Sequence, residues 1–155
     1  MRSLITIILG VAMLSPVGLT QQKDAPVKHH AHGTFTVAIK PLTPPPADGL
    51  GRFSIDKEIH GDLEATTKGE MFSGGNPKEG AAGYVAIEVV TGTLAGKHGS
   101  FALQQMATMD PSGMTINVVV VPGSGTDGLK GIAGTFTITI ADGKHSYDLE
   151  YTLPE

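Results

Sequence analysis

Three polar residues stand inside otherwise apolar runs. They are Glu88 in Ile87-Glu88-Val89-Val90, Gln104 in Phe101-Ala102-Leu103-Gln104, and Asn117 in Ile116-Asn117-Val118. Burying a carboxylate or an amide is costly unless it is paired or hydrogen-bonded. A carboxyl group that is buried has its pKa raised by desolvation, toward the range that suits proton transfer. Glu88 is therefore the candidate general acid or base, and Gln104 its candidate catalytic partner. Alternate residues of a strand share a face, so Tyr84, Ala86 and Glu88 lie together, as do Ser100, Ala102 and Gln104. A hairpin through residues 92–99 can lay those two faces side by side. If both faces point inward, Glu88 and Gln104 form a polar spot in an interior, with Tyr84 beside it. If they point outward, they are ordinary solvated residues, and register is not readable from the pattern. Tyr84, Lys57, Glu64 and Asn117 are the candidate ligand-binding residues. Lys57 shares a strand face with Phe53, Ile55 and Ile59.

Other chemistries find less support. The run Lys28-His29-His30-Ala31-His32 offers imidazoles to a transition metal. As an exposed tether it has nothing to fix a coordination geometry, so no metal site is assigned. Gly123-Ser124-Gly125-Thr126-Asp127-Gly128 fits G-x-G-x-x-G after an apolar strand. The dinucleotide fingerprint needs a helix to begin there. Here the chain runs on through Leu129, Gly131 and Gly134 into another strand, so the segment is a Gly-rich loop. No G-x-S-x-G elbow is present. Asp and Glu are plentiful enough for paired-carboxylate glycoside hydrolysis. With no Trp, three Tyr and five Phe, the chain has few aromatic faces for a sugar to stack on. None of these patterns calls for a cofactor.

The elements that must position these residues are strands. Phe35, Val37 and Ile39 alternate with Thr34, Thr36 and Ala38, and Phe53, Ile55 and Ile59 alternate with Ser54, Asp56 and Glu58. Similar runs cover residues 63–72, 84–90, 100–106, 114–121, 135–140 and 147–153. They are short, rich in Thr, Val and Ile, and bounded by Gly, Pro, Asn or Asp. Asp142-Gly143 is a two-residue hairpin signal. Asp110-Pro111-Ser112-Gly113 reads as another turn. The four prolines between Pro41 and Pro46 exclude an interior strand there. About eight antiparallel strands suit a small closed barrel or a two-sheet sandwich, and closure removes aggregation-prone edges. One motif occurs twice: Leu94 to Phe101 and Leu129 to Phe136 both read L-x-G-x-x-G-[ST]-F. In each copy Leu plugs a barrel end, Gly supplies positive φ and Phe enters the core.

Residues 1–20 have the layout of a secretory signal peptide: Arg2, an apolar run from Leu4 to Leu14, then a small-residue exit. That run falls short of the roughly 20 apolar residues that span a bilayer, so no stable membrane span is expected after cleavage. Residues 21–32 read as a flexible polar, His-rich tether, and 33–155 as one barrel domain. Without Arg2 the chain has 10 basic and 15 acidic residues, a net charge of −5. Scattered Lys on an acidic chain argues against nucleic acid as a partner. With no Cys, the domain must hold together by burial.

Tyr84-Val85-Ala86-Ile87-Glu88, Gly92-Thr93-Leu94-Ala95-Gly96, Gly99-Ser100-Phe101-Ala102-Leu103-Gln104-Gln105 and Val119-Val120-Val121-Pro122-Gly123-Ser124-Gly125-Thr126-Asp127-Gly128-Leu129 occur in that order. Together they resemble the bacterial domain-of-unknown-function family 3224, and Gly61-Asp62-Leu63-Glu64 resembles its upstream strand. The resemblance spans about residues 31–153. Where the family pattern often has His after the Gln, this chain has Gln105. The resemblance implies an allene oxide cyclase-like barrel of eight antiparallel strands around an apolar cavity, preceded here by the N-terminal signal helix. It transfers no activity, because fold is weak evidence of function. Three functions stay open. The first is an exported, periplasmic or secreted barrel that binds a small apolar molecule in its lumen without a cofactor. The second is a cofactor-free cyclase or isomerase using Glu88, with Gln104 or Tyr84 orienting the substrate. The third is a non-catalytic envelope protein that forms homo-oligomers through the barrel wall.

Overall fold

The computed structural model describes residues 25–154. The signal-like segment 1–20 and the first four residues of the tether lie outside the described residues. Eight strands follow one another: β1 (His29–Pro41), β2 (Leu50–Gly61), β3 (Leu63–Asn76), β4 (Ala81–Leu94), β5 (Lys97–Asp110), β6 (Gly113–Val120), β7 (Ala133–Ala141) and β8 (Lys144–Thr152). Each pairs antiparallel with the next, and β1 pairs with β8, so the sheet closes on itself. The expected barrel is therefore present, in up-and-down order.

β1 begins at His29, four residues before the expected start of the domain. His29–His32 are a strand and not a tether, because β8 supplies a pairing partner for each: His29↔Tyr151, His30↔Glu150, Ala31↔Leu149 and His32↔Asp148. That partner lies more than a hundred residues away, where local pattern gives no sign of it.

The two ends of the barrel differ. At one end lie the β2–β3 turn, the Ala95-Gly96 turn, the long connection from β6 to β7, and the outer ends of β1 and β8. Leu63, Leu94, Leu129 and Ile132 are buried there, at 0 to 1% exposure, and plug the end. The repeated motif behaves as read: Gly96 and Gly131 have φ of 76° and 82°, and Phe101 and Phe136 are buried. Gly99 is needed for closeness, since a Cβ there would come within 2.4 Å of the Thr126 carbonyl oxygen. The Gly-rich segment after β6 lies along β5, with Thr126 and Ser124 hydroxyls accepting from the Ser100 and Ala102 amides. Only a three-residue 3-10 turn, Asp127–Leu129, forms there, so no dinucleotide-type helix begins.

The other end is open. Inward-facing Ile39, Met114 and Ile140 stay about half exposed at this rim. The wall is also uneven. β4 pairs with β5 over thirteen positions, whereas β6 meets β7 at a single one, Val119↔Thr135. From that pair toward the open rim, β6 and β7 lack the ladder that closes the wall elsewhere.

Candidate functional site

The barrel interior is apolar at the plugged end and polar at mid-height. Four buried polar residues are found among the described residues: Lys57, Thr67, Glu88 and Gln105. They come from four consecutive strands, β2 to β5, and they touch. Glu88 is fully buried, and its carboxylate is the hub. Lys57 Nζ and Gln105 Nε2 both donate to its Oε1. The Thr67 hydroxyl donates to Oε2 at 2.6 Å and accepts from the Lys57 amide at 3.0 Å. Gly69 faces Glu88 across β3 and β4, and a Cβ there would lie 2.5 Å from Glu88 Cβ. A Cβ would also lie 2.3 Å from the Ile87 carbonyl oxygen, so glycine at this position lets the β3 and β4 backbones approach closely beside Glu88.

Lys57 is held on several sides. Besides Glu88, its ammonium lies 5.6 Å from the centre of the Phe35 ring, a cation–π distance. Burial lowers the Lys57 pKa below the usual 10.5, and the neighbouring Glu88 charge offsets part of that. Tyr84 hydroxyl contacts Gln105 Oε1 at 3.5 Å. Burial, with the Glu88 charge, raises the Tyr84 pKa above 10.0. The network therefore keeps its phenol neutral and able to donate.

A cavity of about 110 Å³ sits above this network toward the open rim. Lys57, Tyr84, Gln105 and His145 are its polar walls, and Val37, Ile55, Ile116 and Ile138 are among its apolar ones. A second, almost wholly apolar hollow of about 250 Å³ adjoins it at the rim, sharing Met71 and Tyr84. Glu88 does not line either hollow. It stands behind Lys57 and Gln105, which line the cavity and bond to its carboxylate.

The structure brings some of the candidates together and separates others. Glu88, Lys57 and Tyr84 meet inside the barrel. Gln104 does not join them: it lies exposed on the outer wall beside Val85, Ile87 and Phe72, and Gln105 takes the inward place. The reason is the turn. Ala95-Gly96 is a two-residue turn with φ of 49° and 76°, the positive values of a tight hairpin. It pairs Leu94 with Lys97, which sets Ala86 opposite Gln105 and Ile87 opposite Gln104. Even-numbered residues of β4 thus share a face with odd-numbered residues of β5. Asn117 is likewise exposed on the outer wall, paired with Met106. Glu64 is exposed near the β2–β3 turn, where its carboxylate accepts from the Gly61 amide at 2.8 Å and contacts His60 Nδ1 at 3.0 Å. Gln105, Thr67 and Gly69 belong to the site but were not among the candidates. The two-residue spacing of Ala95-Gly96 was the signal that could have exposed Gln105.

The sequence profile of DUF3224, a family described as proteins of unknown function, matches residues 31–151. The chain belongs to the DUF3224 family. A crystal structure of another DUF3224 protein of unknown function, from Shewanella oneidensis MR-1, is 38% identical. It superposes with a TM-score of 0.75, covering 83% of this chain and 99% of that one. No curated protein matches the chain. DUF3224 membership thus agrees with the eight-stranded barrel and names no substrate. The lumen network must be read on its own chemistry.

Proposed function

We propose that this barrel binds a small, mainly apolar molecule carrying one hydrogen-bond acceptor, such as a carbonyl or carboxylate. The ligand enters by the open rim, and its acceptor meets Lys57 and Tyr84. One observation carries this reading. An ammonium has three donors, and among the described residues Lys57 Nζ uses one, on Glu88. The remaining donors face a cavity with otherwise mostly apolar walls. A buried ion pair is poor value as a stabiliser, since apolar residues of similar volume often do as well. Its position beneath an open apolar hollow suits recognition. The two adjoining hollows are at the small end of ligand pockets, which run roughly 300–1,000 Å³. The allene oxide cyclase-like barrel that the family resemblance implies supports the same reading, since such barrels surround an apolar cavity.

Native mass spectrometry of protein purified from cell extract should show a retained small molecule. Titration with octanoic acid as a probe should shift the methyl signals of Met71, Ile138 and Ile140, and Lys57→Met should abolish the shift. No retained molecule and no saturable shift would sink the proposal. The layout of residues 1–20 supports an exported location, which N-terminal sequencing of protein from fractionated cells tests.

Glu88 facing inward favours a second reading, a cofactor-free isomerase or cyclase. In that case Lys57 or Tyr84 exchanges the proton with the substrate, and Glu88 holds the charge behind them. A Glu88→Gln variant that keeps probe binding but loses turnover of an epoxide or enone substrate is the expected result. Absence of turnover by the wild type across such a panel removes this reading.

A further inference from the structure

We propose that His30, His32 and Asp148 form a surface site for a divalent transition cation of Zn2+ type, which pins the first strand of the barrel to the last. His30 and His32 are two residues apart on β1, so both imidazoles stand on the outer wall. Their rings are stacked, with centres 5.9 Å apart. Barrel closure sets His32 opposite Asp148 and His30 opposite Glu150. His30 Nδ1 lies 2.9 Å from Asp148 Oδ1, and His32 Nδ1 lies 3.7 Å from the same oxygen. One ligand atom from each of the three residues falls within 4.8 Å of the others.

The donor set has a defined chemistry. Two imidazoles and a carboxylate suit Zn2+ and its neighbours, which bind nitrogen and oxygen at about 2.0–2.2 Å. Two ligands of one tetrahedral ion are then about 3.3 Å apart. The observed separations bracket that figure, so small side-chain rotations complete the site. Glu150 is nearby, with an oxygen 3.8 Å from His30 Nε2, but its other oxygen takes the Lys28 ammonium at 2.7 Å. Lys28 thereby occupies Glu150 and leaves Asp148 as the carboxylate ligand. Water fills the fourth position, because all three residues are partly exposed. A His-rich run on a loose chain has no geometry to offer. Here the sheet supplies it, by placing the run on β1 and the carboxylate on β8.

The chain has no Cys, so any Zn2+ bound must be held by imidazole and carboxylate. The test uses the full chain without an affinity tag. Zn2+ titrated by calorimetry should bind one ion per chain, and Co2+ should give the visible absorption of a tetrahedral site. His30→Ala, His32→Ala and Asp148→Asn should each weaken Zn2+ at least tenfold, while His60→Ala should not. A cation that ties β1 to β8 binds only the folded barrel, so saturating Zn2+ should raise the thermal midpoint by several degrees in the wild type and by clearly less in His32→Ala at the same concentration. Midpoints without metal show that the exposed variants fold. Absence of one-to-one binding overturns the proposal. So does binding that survives both His32→Ala and Asp148→Asn, which would mark a simple His tract around His29.

Discussion

Lys57 on β2 and Glu88 on β4 form a buried ion pair across an intervening strand, with the Thr67 hydroxyl of β3 bonded to the same carboxylate. Removing one partner leaves an uncompensated buried charge, which costs about 3–5 kcal/mol. Lys57→Met should therefore lose stability on that scale in urea unfolding. Adding Glu88→Leu should recover much of the loss, because the orphaned carboxylate goes with it. A single variant within 1 kcal/mol of wild type would mean that the pair is not sealed from water as described.

Adjacent glutamines should behave as opposites. Gln105→Ala removes a donor to Glu88 inside the barrel and should cost about 1–3 kcal/mol. Gln104→Ala lies on the outer wall and should stay within about 0.5 kcal/mol of wild type. Denaturation curves of the two variants side by side decide it, and equal costs would mean that the β4–β5 register differs from the one described.

Stability should fall in acid, and the sign follows from three carboxylates. The Gly61 amide and His60 hold Glu64 below the ordinary carboxylate range, hydrogen bonds from Arg52 do the same for Glu70, and those from Ser112 for Asp110. Each binds its proton more weakly folded than unfolded. Their stabilisation is present above the unfolded value, about 4.3 for Glu, and is lost as pH falls through the lower folded values. All three are surface groups, so the effect is small and screened by salt. Urea midpoints from pH 7 to pH 2 should decline, and Glu64→Gln with Glu70→Gln should flatten that decline.

The thin contact between β6 and β7 should be visible in hydrogen exchange. With one paired position between them, the facing amides of these strands near the open rim lack ladder partners. They should exchange well before the amides of β3 and β4, which pair over fourteen positions. Equal protection on the two sides would mean that this part of the wall is closed.

Strand number and order were legible because period two and turn chemistry are local properties. Phe35, Val37 and Ile39 announce an inner face by themselves, and Asp142-Gly143 announces a turn. Glu88 and Lys57 could also be suspected, since each interrupts an apolar face. Sequence alone does not separate Gln104 from Gln105, because the inward place depends on the parity of one turn, and a shift of one residue exchanges the two faces. His29–His32 read as tether because their partners on β8 are distant in the chain. What stayed illegible was the relation between strands far apart in sequence, which arises only when the barrel closes.

That closing contact shapes how the chain can fold. Seven strand pairings join neighbours along the chain, but the eighth joins residues as far apart as His29 and Tyr151, 151 − 29 = 122 positions away. It carries the largest loop-closure entropy, and such non-local pairing slows folding. Until it forms, β1 and β8 are open edges able to recruit another chain. Lys28, His30, His32, Asp148 and Glu150 all sit along those edges. Their charge and polarity discourage wrong pairing between copies before the right one is made.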